Sequence, residues 1–324
     1  MLSELVPNIR VVTADDLGIG ARAQAAAGLA STAPDATAVN SDDPIILEII
    51  AQVPNYGGVI LTGPPGTSKS FYARAAAEQL TGHDKHRFDI VQFHGSYQYE
   101  DFIFGFTPTE KGFKPKLGPF LRMINAARLD PDNLYVLVID ELSRADVGRV
   151  FGEALTYVER TKREFPFTIA NGDEVLVPSN FFVISTMNPF DRGVDEVDAA
   201  FERRFSKISM EPDAALLDNR LVDNGMDDGL RGRLIGWFRR INSHAEHNPA
   251  ASVGHAYFWA TTDEGALRDV WDHQLKYLVQ RAFRRELGLR QELEAAWEQV
   301  FDVPAPDEAP PDEIGSVVDE TPAS

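Results

Sequence analysis

From residue 57 onward, short apolar runs alternate with stretches of helical periodicity. The run at residues 135–139 is apolar throughout, as expected of a parallel strand that is covered on both faces. Strands that alternate with helices form βαβ units, which build a parallel sheet between helices. We therefore expect an α/β fold in which strand 135–139 lies between strands 88–93 and 181–185. The predicted strands are residues 58–61, 88–93, 135–139, 181–185 and 207–210.

Residues 106–119 and 165–178 each predict a hairpin inserted between these elements. The second contains Asn171 and Gly172, a strong short-range hairpin signal, between two short apolar runs. The first contains three lysines, which either contact phosphate or a partner's acidic surface or are simply solvated, as exposed lysines usually are. These lysines are Lys111, Lys114 and Lys116.

The other segments complete a division into four regions. Residues 1–43 are weakly patterned, which is typical of a linker or loosely packed arm and too short for a separate DNA-reading domain. After residue 212 the periodicity is helical, in 229–243, 262–271 and 272–300, and predicts a small helical lid. An acidic, proline-containing end without Lys or Arg predicts disorder. The predicted regions are the arm (1–43), the α/β nucleotide-binding domain (44–212), the lid (213–301) and the tail (302–324).

Composition limits the classes of protein and site that the chain can form. Its 324 residues are 44% hydrophobic and 25% charged, which is ordinary for a globular protein. The absence of cysteine excludes disulfides and thiolate metal sites, and fits a cytoplasmic location. Without a signal-peptide pattern or an apolar run of about 18 residues, we expect no membrane partner. A net charge of −19 repels duplex phosphate, so DNA contact should be local or indirect.

Residues 63–70 match the Walker A pattern of phosphate-binding loops, Gly-x-x-x-x-Gly-Lys-[Ser/Thr], except that Ser68 occupies the second glycine position. The loop lies between a predicted strand and a helical stretch, so its N–H groups would face nucleotide phosphates. Lys69 would bridge the β- and γ-phosphates, and the Ser70 hydroxyl would ligate Mg²⁺. We expect Ser68 to have a negative φ, because only a positive φ demands glycine.

Polar and charged residues follow the later strands. Asp140 and Glu141 end the strand at 135–139, where ligands bind in open α/β sheets, so Asp140 would hold Mg²⁺ and Glu141 would activate the attacking water. Asn188 follows the strand at 181–185 and would help to position that water. Arg203 and Arg204 follow a short helical stretch and could supply positive charge to a neighbouring subunit's γ-phosphate.

These motifs, in this order, resemble those of the AAA+ superfamily. The amino-acid sequences of the segments resemble the McrB-like motors of the dynein-related type. The resemblance extends over about residues 44–301, and its joint specificity is high because five separate segments match in order. The segments are residues 91–102, 139–155, 186–192, 198–205 and 254–258.

The resemblance implies an AAA+ P-loop NTPase that hydrolyses ATP or GTP with Mg²⁺, with a five-stranded parallel sheet between helices and then a helical lid. It also implies a hexameric homo-oligomeric ring with pore-facing hairpins, a separate McrC-like nuclease subunit, and DNA contacted only indirectly or through the pore. The implied nucleotide-binding residues are Gly63, Pro64, Pro65, Gly66, Thr67, Ser68, Lys69, Ser70 and Phe71. The implied metal ligands are Ser70 and Asp140, and the implied catalytic residues are Glu141, Asn188, Asp191, Arg203 and Arg204, the two arginines acting in trans.

Two other functions fit the same sequence. One is a MoxR-like AAA+ chaperone that remodels protein partners, which shares the chemistry and differs in the partner. The other is a binding module in which nucleotide only holds an assembly together, which the intact acidic pair, Asn188 and arginine doublet disfavour. Ser68, Pro189 and Phe190 depart from the McrB-like pattern, and the base preference stays open between ATP and GTP.

Overall fold

The computed structural model describes residues 39–109, 112–189, 199–245 and 247–302. Its centre is a five-stranded sheet in which every pairing is parallel. The strands are β1 (Gly58–Thr62), β2 (Phe88–Gln92), β5 (Tyr135–Asp140), β8 (Phe181–Met187) and β9 (Ser206–Ser209), in the order β2-β5-β8-β1-β9. The predicted parallel sheet is confirmed, and so is the position of β5 between β2 and β8.

Helices cover both faces of this sheet, and successive side chains of β5 pack in different hydrophobic clusters. Leu137 and Ile139 pack in one hydrophobic cluster, whereas Val136 and Val138 pack in another on the opposite face. The second cluster includes side chains of α1 (Pro44–Gln52) and α2 (Lys69–Leu80). The first includes side chains of α3 (Tyr99–Phe102), α4 (Pro119–Leu129), α5 (Val147–Phe151), α6 (Ala154–Tyr157) and α7 (Ala199–Glu202).

Helix α1 begins at an N-cap aspartate followed by proline. The Asp43 carboxylate accepts the Ile45 N–H at 2.9 Å, and Pro44 follows at the first helical position, where its missing N–H is tolerated. Ile46 and Ile49 are fully buried in the cluster beneath the sheet, so α1 is anchored by its apolar face.

Both predicted hairpins are present, with different lengths. In the first, β3 (Phe104–Thr109) pairs with β4 (Gly112–Leu117), so it begins two residues earlier than predicted. In the second, β6 (Phe167–Thr168) and β7 (Glu174–Val175) contribute two residues each, and Gly172 turns the chain with a φ of 89°. Lys111 lies outside the described residues, whereas Lys114 and Lys116 are exposed.

The lid contains one helix that the sequence analysis missed and a break that it did not predict. The helices are α8 (Ala214–Asp223), α9 (Asp228–Ser243), α10 (Glu264–Val270), α11 (Lys276–Ala282) and α12 (Leu287–Glu298). Asp213 caps α8, and the buried Leu217 and Leu221 lie one turn apart, which was the overlooked signal. The predicted helix 272–300 is interrupted after Ala282, so α11 and α12 are separate helices. Phe283 at the break and Trp297 in α12 pack in the same hydrophobic cluster.

No helix of the described residues is long and apolar enough to cross a membrane. The lid helices have a hydrophobic cluster of their own, separate from the two that cover the sheet. The boundaries at 43, 212 and 301 stay predictions, and most of the predicted arm and tail lies outside the described residues.

Candidate functional site

The loop between β1 and α2 is closed by hydrogen bonds to its own carbonyl oxygens. Lys69 Nζ donates to Gly63 O at 2.9 Å and to Pro64 O at 2.6 Å. The buried Thr67 hydroxyl also donates to Pro64 O, at 2.9 Å. These contacts place the Lys69 ammonium at the start of α2, where the helix N-terminus already favours an anion.

The prediction of a negative φ at Ser68 is wrong. Ser68 has φ 62° and ψ 20°, the left-handed conformation, immediately before the first residue of α2. The turn from loop into helix requires this conformation, and a serine there must accept a backbone energy of roughly 1–2 kcal/mol that glycine avoids. The geometry of the turn, and not the residue type, sets the backbone conformation at this position.

Asp140 joins the loop to the sheet at the carboxyl ends of the strands. Ser70 Oγ donates to Asp140 Oδ1 at 2.7 Å, and Thr186 Oγ1 at the end of β8 donates to the same oxygen. Thr186 Oγ1 also accepts the Glu141 N–H at 3.1 Å. Thr186 was not among the predicted residues, although a hydroxyl two positions before Asn188 at a strand end was an available signal.

Glu141 has a conformation that L-residues seldom adopt, with φ 58° and ψ 45°. Such strained residues persist where the surroundings fix them, and they concentrate at functional sites. The Glu141 carboxylate lies 3.4 Å from Arg144 Nε in a half-exposed ion pair, which water screens. The carboxylate is therefore held loosely enough to exchange Arg144 for another partner.

A cavity of about 430 Å³ brings most of the predicted residues together. Asn188, which is only 7% exposed, lies on its wall, as does Glu141 on the neighbouring strand end. Arg144, Thr186, Met187 and Ala256 also line the cavity and were not predicted. The predicted residues on its wall are Pro65, Gly66, Thr67, Ser68, Lys69, Ser70, Phe71, Glu141 and Asn188.

The lid contacts the loop through residues 254–257. Ala256 N–H donates to Gly66 O at 2.8 Å, and a Cβ at Gly254 would lie 2.0 Å from the same oxygen, so only glycine fits. Gly66 itself has a φ of 76° and packs against the Tyr257 ring. His255 Nε2 lies 3.1 Å from Ser68 Oγ. The lid therefore contacts the backbone of the phosphate loop directly.

The two predicted arginines have different environments. Both immediately precede β9, the edge strand next to β1. Arg203 is exposed, whereas Arg204 is 8% exposed and its Nε lies 3.7 Å from Glu159 Oε2 of the same chain. Neither lines the cavity. Asp191, the other predicted polar residue, lies outside the described residues.

The oxygen ligands at the loop suit Mg²⁺. Ser70 Oγ and Asp140 Oδ1 are hard oxygen donors that already lie within hydrogen-bond distance of each other. Among the described residues no group of three or more His, Cys, Asp or Glu side chains could hold a metal. Mg²⁺ held by these two oxygens would complete its coordination with phosphate oxygens and water, as it commonly does in proteins.

The chain is similar in sequence to known proteins. Residues 58–205 match the model of the AAA domain, dynein-related subfamily. The chain is 36% identical over 225 residues to the Type IV methyl-directed restriction enzyme EcoKMcrB subunit of Escherichia coli (strain K12), covering 65% of this chain and 49% of that protein. It is 30% identical over 188 residues to the Type II restriction enzyme BsuMI component YdiS of Bacillus subtilis (strain 168), covering 45% of this chain and 55% of that protein.

The chain thus spans about half the length of these two relatives. A solved structure from Cytophaga hutchinsonii ATCC 33406 aligns with 78% of this chain and 93% of its own, at 17% sequence identity and with a TM-score of 0.35.

Proposed function

Because this chain is an AAA+ nucleoside triphosphatase related to the McrB restriction subunits, we propose that it is the motor subunit of a McrBC-like restriction or phage-defence complex. In such a complex it would hydrolyse ATP or GTP and drive a partner nuclease. The observation that supports the proposal most is that Lys69 and Ser70 line one cavity with Glu141, while Ser70 is hydrogen-bonded to Asp140, in a chain whose relatives are restriction components.

The loop and the acidic pair would bind the triphosphate and its metal. Lys69 would exchange the carbonyls of Gly63 and Pro64 for phosphate oxygens, since an ammonium gains more from a charged acceptor than from a neutral one. Ser70 and Asp140 would hold Mg²⁺, with Thr186 fixing the orientation of the Asp140 carboxylate. When bound, Mg²⁺ would neutralise charge that develops on the phosphates.

Water activation would fall to Glu141. Its main chain is fixed by the Thr186 hydroxyl, so its position is defined even though its carboxylate is half-exposed. Asn188 lies at the neighbouring strand end and would orient the attacking water by a hydrogen bond, with Asp191 as the further polar group that the resemblance implies.

The arginines would complete the site in a neighbouring subunit, which implies a ring of several copies, hexameric by the resemblance. The exposed Arg203 at the edge of the sheet is the better candidate for contact with another chain's nucleotide. Arg204 is committed to Glu159 of its own chain and would hold the segment that presents Arg203. DNA would be reached through the ring or through the nuclease partner.

Copurification from the native host tests the partner. Wild-type chain and Glu141→Gln chain are each isolated by affinity and their associated proteins identified by mass spectrometry. The Glu141→Gln variant should bind ATP or GTP, accumulate assembled rings and retain a nuclease subunit, while its hydrolysis falls about 10²-fold or more. Hydrolysis by the purified wild-type chain should also rise when the nuclease subunit is added back. Recovery of a protein-remodelling partner without any nuclease would contradict the proposal.

A further inference from the structure

Ser68 and His255 join the two parts of the molecule at the phosphate loop, although 187 positions separate them in the sequence. Ser68 occupies the position where a Walker A loop ordinarily has glycine. His255 is 2% exposed and lies between the lid and the loop, at the edge of a second cavity of about 440 Å³. The contact therefore involves the one loop residue whose backbone conformation is unfavourable for its type.

The hydrogen bonds define which nitrogen of His255 carries the proton. Nδ1 accepts the Asp213 backbone N–H at 3.3 Å, so Nδ1 of the neutral ring must be unprotonated. The proton is then on Nε2, and Nε2–H donates to Ser68 Oγ at 3.1 Å. One imidazole thus links the entry of the lid, at Asp213, to the phosphate loop.

We propose that His255 is a positioning residue that holds Ser68 in its left-handed conformation and thereby makes the shape of the phosphate loop depend on the seated lid. The inference rests on the proposed role of residues 63–71 in nucleotide binding. Glycine adopts this conformation without help, whereas serine needs a compensating contact, and here the lid supplies it.

The left-handed residue matters for binding because it directs the next N–H groups. A residue of this kind before a helix turns successive backbone N–H groups toward one point, where an anion can be held. If Ser68 relaxes to a negative φ, the N–H groups of Lys69 and Ser70 lose that shared direction. Loss of the His255 contact should therefore weaken nucleotide binding, while the chemical step at Glu141 keeps its groups.

Two substitutions of His255, by Asn and by Gln, distinguish the contribution of Nδ1 from that of Nε2. The amide nitrogen of Gln can take the place of Nε2 and donate to Ser68, whereas Asn can replace only Nδ1 and accept from Asp213. His255→Asn should raise the dissociation constant for a fluorescent ATP or GTP analogue about fivefold, the scale of one hydrogen bond, with kcat within about twofold. His255→Gln should restore most of the affinity.

A double-mutant cycle with Ser68→Gly distinguishes positioning from general damage to the lid. In the Ser68→Gly background, glycine holds the conformation unaided, so adding His255→Asn should change the dissociation constant by less than about twofold. If His255 merely stabilises the lid, His255→Asn should weaken binding equally in both backgrounds. Equal losses, or equal behaviour of the Asn and Gln variants, would overturn the proposal.

Lys69→Ala in the same binding and hydrolysis assays separates this failure from a failure of the site itself. If Lys69→Ala binds and hydrolyses normally, the assignment of residues 63–71 is wrong and the His255 proposal falls with it. If Lys69→Ala loses activity but the Ser68 and His255 effects are additive, the site stands and only the coupling through His255 is refuted.

Discussion

Ser70 Oγ and Asp140 Oδ1 are 2.7 Å apart, so the helix that begins at the phosphate loop is tied to the carboxyl end of β5. The bond brings together the two oxygens proposed to hold Mg²⁺, and the Thr186 hydroxyl donates to the same carboxylate oxygen. The pair is arranged by the protein alone, which reduces the reorganisation needed when metal and phosphate bind.

Asp140→Asn should therefore act through the metal. An amide is a weaker Mg²⁺ ligand than a carboxylate, so the Mg²⁺ concentration for half-maximal hydrolysis should rise about tenfold or more. Chelation of Mg²⁺ should abolish wild-type turnover. The matched control is Asp89→Asn, which removes a partly exposed carboxylate paired with Arg122 and should leave the Mg²⁺ dependence unaltered. An identical Mg²⁺ titration for Asp140→Asn and wild type would refute the assignment.

Two substitutions at Ser68 should change stability in opposite directions. Ser68→Gly removes the cost of roughly 1–2 kcal/mol that serine bears in the left-handed conformation, and it loses one hydrogen bond of about 1 kcal/mol. The free energy of unfolding should therefore stay equal or rise slightly. Ser68→Ala loses the bond without the conformational relief that glycine brings, so the free energy of unfolding should fall by about 1 kcal/mol. Denaturant unfolding measures both. A more stable Ala variant than Gly variant would show that the turn is not left-handed in solution.

The sheet and the acidic pair could be predicted from sequence because both follow from local patterns. Alternating apolar runs define the strands, and the carboxyl ends of parallel strands meet at one edge, so Asp140 and Asn188 were expected near the loop. The contacts of Ser68 could not be predicted, because its partner comes from the lid and nothing local to the loop indicates it. His255 lay in a segment noted for its resemblance, but the resemblance assigned it no role.

Acidification should destabilise the protein partly through His255. Burial lowers the pKa of His255, although the nearby Asp213 carboxylate opposes the shift. The unfolded chain therefore takes up this proton at a higher pH than the folded chain, and stability is lost as pH falls below about 6.5. His255→Gln should lose less stability than wild type between pH 8 and pH 5.5 in thermal unfolding. The exposed His86→Gln is the control for removing a histidine, and equal pH profiles for wild type and His255→Gln would contradict the prediction.

Arg163 should be essential for folding rather than for chemistry. It is 6% exposed, and its guanidinium donates to main-chain carbonyls at the base of the second hairpin and before β1. Burial lowers the pKa of this group to about 9, which reflects removal of the charge from water. The acceptors are Gly57 O, Val158 O, Pro178 O and Phe181 O.

Arg163→Met would remove the four guanidinium hydrogen bonds, although Gly57 O and Pro178 O keep a main-chain donor, and should reduce the free energy of unfolding by about 3 kcal/mol or more. Arg160→Met is the control, because Arg160 makes one exposed bond to Ser179 O and its loss should matter little. Denaturant unfolding compares the two. Equal midpoints would show that the carbonyls find other donors or water.

We expect each active site to be shared between two neighbouring subunits. Arg203 is exposed at the sheet edge, so Arg203→Ala should reduce hydrolysis on the order of 10³-fold while each chain still binds nucleotide. Arg204→Ala should instead lower stability, because it leaves Glu159 without its buried partner.

Mixing two inactive variants tests directly whether neighbouring subunits share the active site. A Glu141→Gln chain and an Arg203→Ala chain are each inactive, but in a mixed ring some interfaces join an intact Glu141 to an intact Arg203 from the neighbour. Activity should recover at those interfaces only, in proportion to their frequency. A mixture that stays inactive although both chains enter one ring, or an isolated monomer that hydrolyses at full rate, would refute the shared site.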